Sequence, residues 1–265
     1  MGLMDGKVAL VFGVANKNSI AWGIVKKLHA EGAQIALSYA GPVLEKRVFP
    51  LAEQIGCDFV EPCDVTDDAQ LDDLFAKVKD RYGQIDVLVH AVAFAERDDL
   101  GGRFTEISRE GFKKAMDISA YSLIAMARRT EPLMPEGGSI MSLTYYAAEK
   151  VMPTYHVMAV AKAALESITR YLANDMGTHN IRVNSISAGP IKTLSAAGVP
   201  GLRTFLKYAE KASPLRRSVT QEDVGDTALW LASDLSRSVT GEIIHVDAGY
   251  NILGLTATEE DLGNL

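Results

Sequence analysis

Hydrophobic positions along the chain fall into short, nearly unbroken runs separated by longer amphipathic stretches. The runs are Val8–Phe12, Gln34–Ser38, Asp58–Val65, Ile85–Val92, Ser139–Leu143, Arg182–Ser187 and Glu242–Val246. They are rich in β-branched residues and mostly apolar throughout, the pattern of parallel strands buried on both faces. Helical spacing marks Ile20–Ala30, Leu44–Ile55, Ala69–Arg81, Gly111–Arg129, Tyr155–Met176 and Glu222–Ala232. Asp67 or Asp68 is placed to cap the third helix, and Gln221 or Glu222 to supply early acidic charge in the last. Strand–helix alternation sustained along the chain predicts an α/β fold, a doubly wound parallel sheet of about seven strands. No linker, repeat or low-complexity tract interrupts it, so one domain over residues 1–265 is expected. The rhythm breaks between Pro190 and Ser218, which holds Gly198, Pro200, Gly201 and Pro214. An irregular insertion after the sixth strand, on the side where such sheets bind ligands, predicts a lid over about residues 191–217.

Composition narrows the setting. The 265 residues are 48% hydrophobic and 23% charged, enough for a substantial core. A net charge of -7 argues against nucleic acid or an anionic membrane as the main partner. No run approaches the ~18 apolar residues of a membrane span. The opening Met1-Gly2-Leu3-Met4-Asp5 lacks the apolar core of a signal peptide, so a cytoplasmic location is expected. Cys57 and Cys63, both set at the third strand segment without a CxxC neighbour, are expected to be buried, reduced thiols. His29, His90, His156, His179 and His245 show no metal-ligand spacing, and no metal site is expected.

The first strand runs through Gly13 into Ser19-Ile20-Ala21-Trp22-Gly23 and a helix. A tight turn into a helix N-terminus offers backbone N–H groups and partial positive charge to a pyrophosphate. Gly13 permits the turn, Ser19 and Ile20 open the helix beside the phosphates, and Gly23 would allow close helix–strand packing. The spacing is not GxGxxG, so the case rests on the place of the turn at the first strand of a βαβ unit. After the second strand, Ser38-Tyr39-Ala40-Gly41 holds neither the acid of an NAD site nor the base of an NADP site. With no cation placed for a 2′-phosphate, NADH is the expected cofactor and NADPH stays the alternative. Asp64, at the end of the third strand, could accept from the adenine amino group while Val65 packs on the ring; a plain loop or capping acid is the competing role. Ala40 and Val92, at the ends of the second and fourth strand segments, complete this part of the cofactor set.

After the fifth strand, two tyrosine–lysine pairings compete. Tyr146 and Lys150 have Y-x3-K spacing, whereas Tyr155 and Lys162 are seven apart. Pro153 and Thr154 read as a helix start, which puts the first pair before the helix and the second inside it. Seven residues is close to two turns, so Tyr155 and Lys162 share a face with a rise of ~10 Å between them. Lys162 then suits cofactor ribose hydroxyls, and Tyr155 is free to turn toward substrate.

Taken together, Gly13-Val14-Ala15-Asn16, Ser19-Ile20-Ala21-Trp22-Gly23, Tyr155-x6-Lys162 and Ser187-Ala188-Gly189-Pro190-Ile191-Lys192-Thr193-Leu194 resemble the enoyl-acyl-carrier-protein reductases of bacterial fatty-acid synthesis. These are short-chain dehydrogenase/reductases on a Rossmann-type sheet, and the resemblance covers nearly the whole chain. It implies reduction of trans-2-enoyl thioesters, delivered on acyl carrier protein, by hydride transfer from NADH. It implies that Tyr145 and Tyr155 are the two active-site tyrosines, with Lys162 on the ribose. Ala95, Tyr145, Tyr155 and Met158 would then contact substrate, and Ile191, Lys192, Thr193, Leu194 and Ser195 would line the nicotinamide side. Leu194 to about Lys211 would be the lid, with Leu194, Val199, Leu202, Phe205 and Leu206 suited to an acyl tail. A homotetramer is implied as well. The chain departs from the pattern at His156, where a polar amide is expected, and at Ala91 and Ala93, which are often Ser and Gly.

Two rival readings remain. A carbonyl-reducing short-chain dehydrogenase, such as a 3-oxoacyl reductase, would use Ser142, thirteen residues before Tyr155, but position 159 is Ala where its lysine should stand. A nucleotide-binding sensor without turnover would not need the intact tyrosines and lysine. Asp98-Asp99 reads as a solvated loop, and the tail Thr258–Leu265 as surface or subunit contact.

Overall fold

A computed structural model describes residues 2–194, 196–198, 201–255 and 263, with the backbone alone of Ala197. Ser195, Val199 and, save Gly263, the tail from Thr258 therefore lie outside the described residues. Seven parallel strands form one sheet in the order β3-β2-β1-β4-β5-β6-β7. They are β1 (Val8–Phe12), β2 (Gln34–Tyr39), β3 (Phe59–Pro62), β4 (Val87–His90), β5 (Gly138–Thr144), β6 (Ile181–Ala188) and β7 (Ile243–Val246). The helices are α1 (Ile20–Ala30), α2 (Pro42–Gln54), α3 (Asp68–Tyr82), α4 (Arg109–Met116), α5 (Ser122–Thr130), α6 (His156–Met176), α7 (Leu202–Ala212) and α8 (Gln221–Ala232). The sheet is the doubly wound one that the apolar runs predict, and its order reverses between β1 and β4.

Strand alternation distributes the core over both faces. Ala9 and Val11 of β1 join a cluster with α1, α2 and α8, whereas Val8, Leu10 and Phe12 join one with α3, α5 and α6. All five β1 side chains are buried, which is why the run reads as continuously apolar rather than alternating. Asp67 caps α3 by accepting from Ala69 and Gln70 N–H groups. Thr220 and Asp223 form a capping box at the start of α8, whose first turn carries the expected acidic charge at Glu222.

Several expectations shift. The third strand is shorter than its apolar run, and Cys57 and Cys63 flank it rather than sit in it. Cys63 is buried and Cys57 half-buried, both are free, and burial pushes the thiols up to about 12 and about 11. The expected helix Gly111–Arg129 is interrupted by a π turn, Asp117–Tyr121. There Ser122 Oγ donates back to Ile118 O at 2.6 Å, and Ser119 Oγ leaves the helix surface to bond both backbone groups of Phe94. Thr154 has φ 62, which no helix start allows, so α6 begins at His156 with Tyr155 as its N-cap. The insertion after β6 contains α7, hidden in sequence by the glycines and prolines around it. Asp99 is buried and accepts from Ser108 N and Oγ. Gly23 does allow a close approach, but to a helix: a Cβ there would stand 2.5 Å from Gln221 O, where α8 crosses α1.

Candidate active site

The carboxyl ends of β1, β4, β5 and β6 open into one cleft of about 690 Å³. The reversal of strand order makes it. Chains leaving β1 and β4 turn in opposite directions, and the gap between them is where ligands bind in such sheets. On one side lie Gly13, Ser19, Ile20, Ala40, Asp64, Val65 and Val92. On the other lie Ala95, Tyr145, Tyr155, Met158 and Lys162, roofed by Ile191, Thr193, Leu194, Leu202 and Phe205. Lys192 is exposed and does not line the cleft, and Leu206 of α7 is also absent from its wall.

The β1 end is built for an anion. Gly13 has φ 100, and a Cβ there would stand 2.2 Å from Ala91 O, so only glycine fits between the β1 and β4 ends. Ser19 is the N-cap of α1, yet its Oγ accepts from Ala15 and Asn16 N–H, both at 3.0 Å, instead of capping the helix. The first turn of α1 holds no acidic residue either. Its orphan N–H groups and the positive end of the helix dipole therefore face the cleft. Asp64 lines the cleft while its Oδ1 accepts from Thr66 N at 2.9 Å and Thr66 Oγ1 at 2.7 Å, so it is a loop acid as well as a wall residue. Lys46 and Arg47 ride on α2 and are absent from the wall, which leaves the β2 end without a cation in the cleft.

The chemistry-bearing groups gather at the β5 end. Tyr145 follows β5, and Tyr155 caps α6. Their rings meet edge-on with centroids 5.0 Å apart. Burial, with Tyr155 having Tyr145 beside it, holds the Tyr155 phenol well above its ordinary range, and burial raises Tyr145 to about 12. Both phenols are donors at neutral pH. Lys162 is buried beneath them and donates to Leu143 O at 2.7 Å. Burial lowers it to about 8, against the opposing field of Glu166. No hydrogen bond joins Lys162 to Tyr155, as the two-turn separation leads one to expect.

The competing pair is not assembled. Tyr146 donates to Asn251 O at 3.2 Å, away from the main cleft, and Lys150 is exposed. Ser142 is fully buried and shares a hydrogen with Ser185 Oγ at 2.6 Å, which in turn meets Thr169 Oγ1 at 2.7 Å. A catalytic serine of the carbonyl-reducing kind would have to face the cleft, and Ser142 does not line it. Among the described residues, no group of three or more His, Cys, Asp or Glu could hold a metal ion, and no helix is long and apolar enough to cross a membrane.

Sequence reasoning missed three groups here. Ser38, at the end of β2, lines the cleft with its buried Oγ unpartnered. His90 is fully buried, with Nε2 against Ser122 Oγ at 2.7 Å and Nδ1 without a partner; burial first, then Lys162, pushes it down to about 3. Glu166 is buried and accepts from Thr144 Oγ1 at 2.7 Å. The available signal was the spacing of Lys162, Glu166 and Thr169, which puts polar side chains at i, i+4 and i+7 on a helix face that otherwise packs on the sheet.

Comparison with known proteins agrees with this geometry. A family model described as enoyl-(acyl carrier protein) reductase matches residues 13–251. An NADH enoyl-[acyl-carrier-protein] reductase of Rhizobium meliloti is 54% identical over 97% of this chain and 95% of its own. One from Aquifex aeolicus is 50% identical over 99% and 97%. The crystal structure of a Bacillus cereus enoyl-acyl carrier protein reductase, with NADP+ and an indole naphthyridinone, superposes with a TM-score of 0.94 at 53% identity, covering 96% of this chain and all of that one.

Proposed function

From its membership of the enoyl-(acyl carrier protein) reductase family, to which this chain belongs, we propose that the protein reduces the carbon–carbon double bond of trans-2-enoyl-acyl-carrier-protein thioesters with NADH. This is the last step of the fatty-acid elongation cycle. The observation that carries the reading is the pairing of Tyr145 and Tyr155 on one wall of the cleft, with Lys162 buried in the same wall and Ser142 turned away.

The residues present fit a dinucleotide. Gly13 leaves room that a Cβ would fill, and the uncapped first turn of α1 is free to receive a pyrophosphate. Ser38, Ala40, Asp64, Val65 and Val92 would hold the adenosine half, and Ile191, Thr193 and Leu194 would flank the nicotinamide. When bound, the dinucleotide supplies a hydride to the substrate β-carbon. Negative charge then gathers on the thioester oxygen. Tyr155, protonated and desolvated, donates a hydrogen bond to that oxygen, where a fixed donor is worth most. Lys162 would hold the ribose hydroxyls and add positive potential. Tyr145, Ala95 and Met158 shape the acyl channel. Segment 191–217, with Leu202 and Phe205 of α7 over the cleft, serves as the lid that excludes water. Net uptake is one hydride and one proton.

The rest of the reading follows the family. The chain forms one domain over residues 1–265, works in the cytoplasm, takes its substrate from acyl carrier protein and assembles as a homotetramer. The test is loss of NADH and NADPH absorbance with crotonyl and longer trans-2-enoyl thioesters, beside acetoacetyl thioester. Turnover of the enoyl substrates, faster with NADH, is expected. Turnover of the acetoacetyl substrate alone would replace this assignment with the ketoreductase one.

A further inference from the structure

The buried face of α6 carries a polar column. Lys162, Glu166 and Thr169 are 5%, 6% and 0% exposed, on the same side as the apolar Met158, Ala161 and Leu165. Buried ionisable groups cost folding free energy unless something compensates them, so their place on this face calls for a reason. Lys162 donates to Leu143 O, and Glu166 accepts from Thr144 Oγ1, both at 2.7 Å. Leu143 and Thr144 are adjacent at the carboxyl end of β5. The same strand end thus fixes both charged groups, which stand one helical turn apart.

We infer that Glu166 is the buried counter-charge that keeps Lys162 an ammonium, and is therefore a positioning residue for the cofactor ribose. This rests on the reductase reading above for the role of Lys162, but not for its charge. No carboxylate of the described residues lies within ion-pair distance of Lys162. The attraction acts across a gap, in a buried setting where water screens little. The other groups facing the pair do not replace it. His90, from β4, is neutral and disfavours the ammonium. Glu149 and His245 bond each other at 3.0 Å; burial and Glu149 raise the Glu166 carboxyl, while the Thr144 hydrogen bond, Arg170 and His245 hold it down. Tyr145 and Tyr155 stay protonated. Burial has brought Lys162 down to about 8, close to neutral pH, so the loss of one nearby negative charge would move its titration into the neutral range.

Glu166→Gln separates charge from shape, because the amide oxygen can still accept from Thr144. The expected result is an NADH dissociation constant raised about fivefold at pH 8 yet near wild type at pH 6, as a one-unit fall in the Lys162 midpoint from about 8 requires. The 13Cε resonance of Lys162 in the cofactor-free protein should titrate about one unit lower in the variant, and Glu166→Asp should restore most of the difference. Equal weakening of NADH at both pH values, or an unmoved Lys162 midpoint, overturns the inference. Should Glu166→Gln fail to fold, the wild-type titration and Thr144→Val still decide. Thr144→Val removes the hydrogen bond and leaves the charge, so its Lys162 midpoint should stay put. An ordinary lysine midpoint in the wild type would mean that no counter-charge is needed. A protein that ignored enoyl thioesters would sink the substrate assignment and leave the Lys162 titration intact.

Discussion

Tyr145 and Tyr155 stand with ring centroids 5.0 Å apart and planes at 69°, one edge presented to the other's face. The arrangement joins the end of β5 to the start of α6 and leaves the two phenols to different tasks. In the proposed reaction Tyr155, at the helix cap, is the donor to the developing negative charge and Tyr145 serves as wall. Tyr155→Phe should therefore lower kcat by about 10²–10³ while NADH binding stays near wild type. Tyr145→Phe should act chiefly on KM. Because both phenols sit above their ordinary range, neither variant should remove an alkaline limb below pH 10. Steady-state kinetics and NADH fluorescence titration check this, and a Tyr155→Phe enzyme with unimpaired kcat would dismiss the assigned role.

Ser142 provides a sharper separation from carbonyl-reducing relatives. Its hydroxyl belongs to the buried chain Ser142–Ser185–Thr169 under α6 rather than to the cleft. Ser142→Ala should leave kcat/KM for enoyl thioesters within a few-fold and cost about 1 kcal/mol of stability, the value of one buried hydrogen bond. A loss of a hundredfold or more in turnover, with stability intact, would mean that the hydroxyl reaches substrate after all.

Much of this was readable before any coordinates. The bounds of β1 and α1 match their apolar runs, because a fully buried strand and an amphipathic helix leave unambiguous periods. The cleft residues at strand ends followed from the doubly wound order. What stayed hidden depended on direction or on local backbone. Pro153-Thr154 looks like a helix start, but Thr154 adopts a positive φ and shifts Tyr155 to the cap. The π turn at Asp117–Tyr121 holds Ser119, which bonds Phe94, a tertiary contact no local pattern contains. Ser142, two residues along the strand from Ile140 and Thr144, points where they point. The partner of Glu166, Thr144, lies 22 residues away across the strand–helix connection.

The crossing of α1 and α8 yields a prediction remote from the chemistry. Gly23 meets Gln221 O, and Gly225 in turn meets Gly23 O at 2.8 Å from where a Cβ would stand. Gly23→Ala must push the helices apart, and overpacking of this kind costs about 1–3 kcal/mol. Thermal unfolding should show the loss. Because α1 also presents its N-terminus to the cleft, NADH affinity should fall with it, and an unchanged Tm would show that the crossing is looser than its geometry.

Lys162 should trade stability for function, and pH gives the test its sign. Its pKa in the folded protein is about 8 against an ordinary 10.5, so the fold disfavours the charged form. Below pH 8 that penalty is complete, about 3 kcal/mol from the gap between the two values. Between pH 8 and 10.5 the unfolded chain binds more protons than the folded one, and stability should climb with pH. Lys162→Met keeps the length of the side chain and removes the charge, at the cost of leaving Leu143 O without its donor, worth about 1 kcal/mol. Net stabilisation of about 1–2 kcal/mol at pH 7 is therefore expected, shrinking toward pH 10, with NADH affinity and kcat both reduced. Urea unfolding of the cofactor-free protein at the two pH values measures it. A variant less stable than wild type at pH 7 would mean that the ammonium is better compensated in the fold than its burial implies. It would then be Glu166, together with Leu143 O, that more than offsets the loss of water.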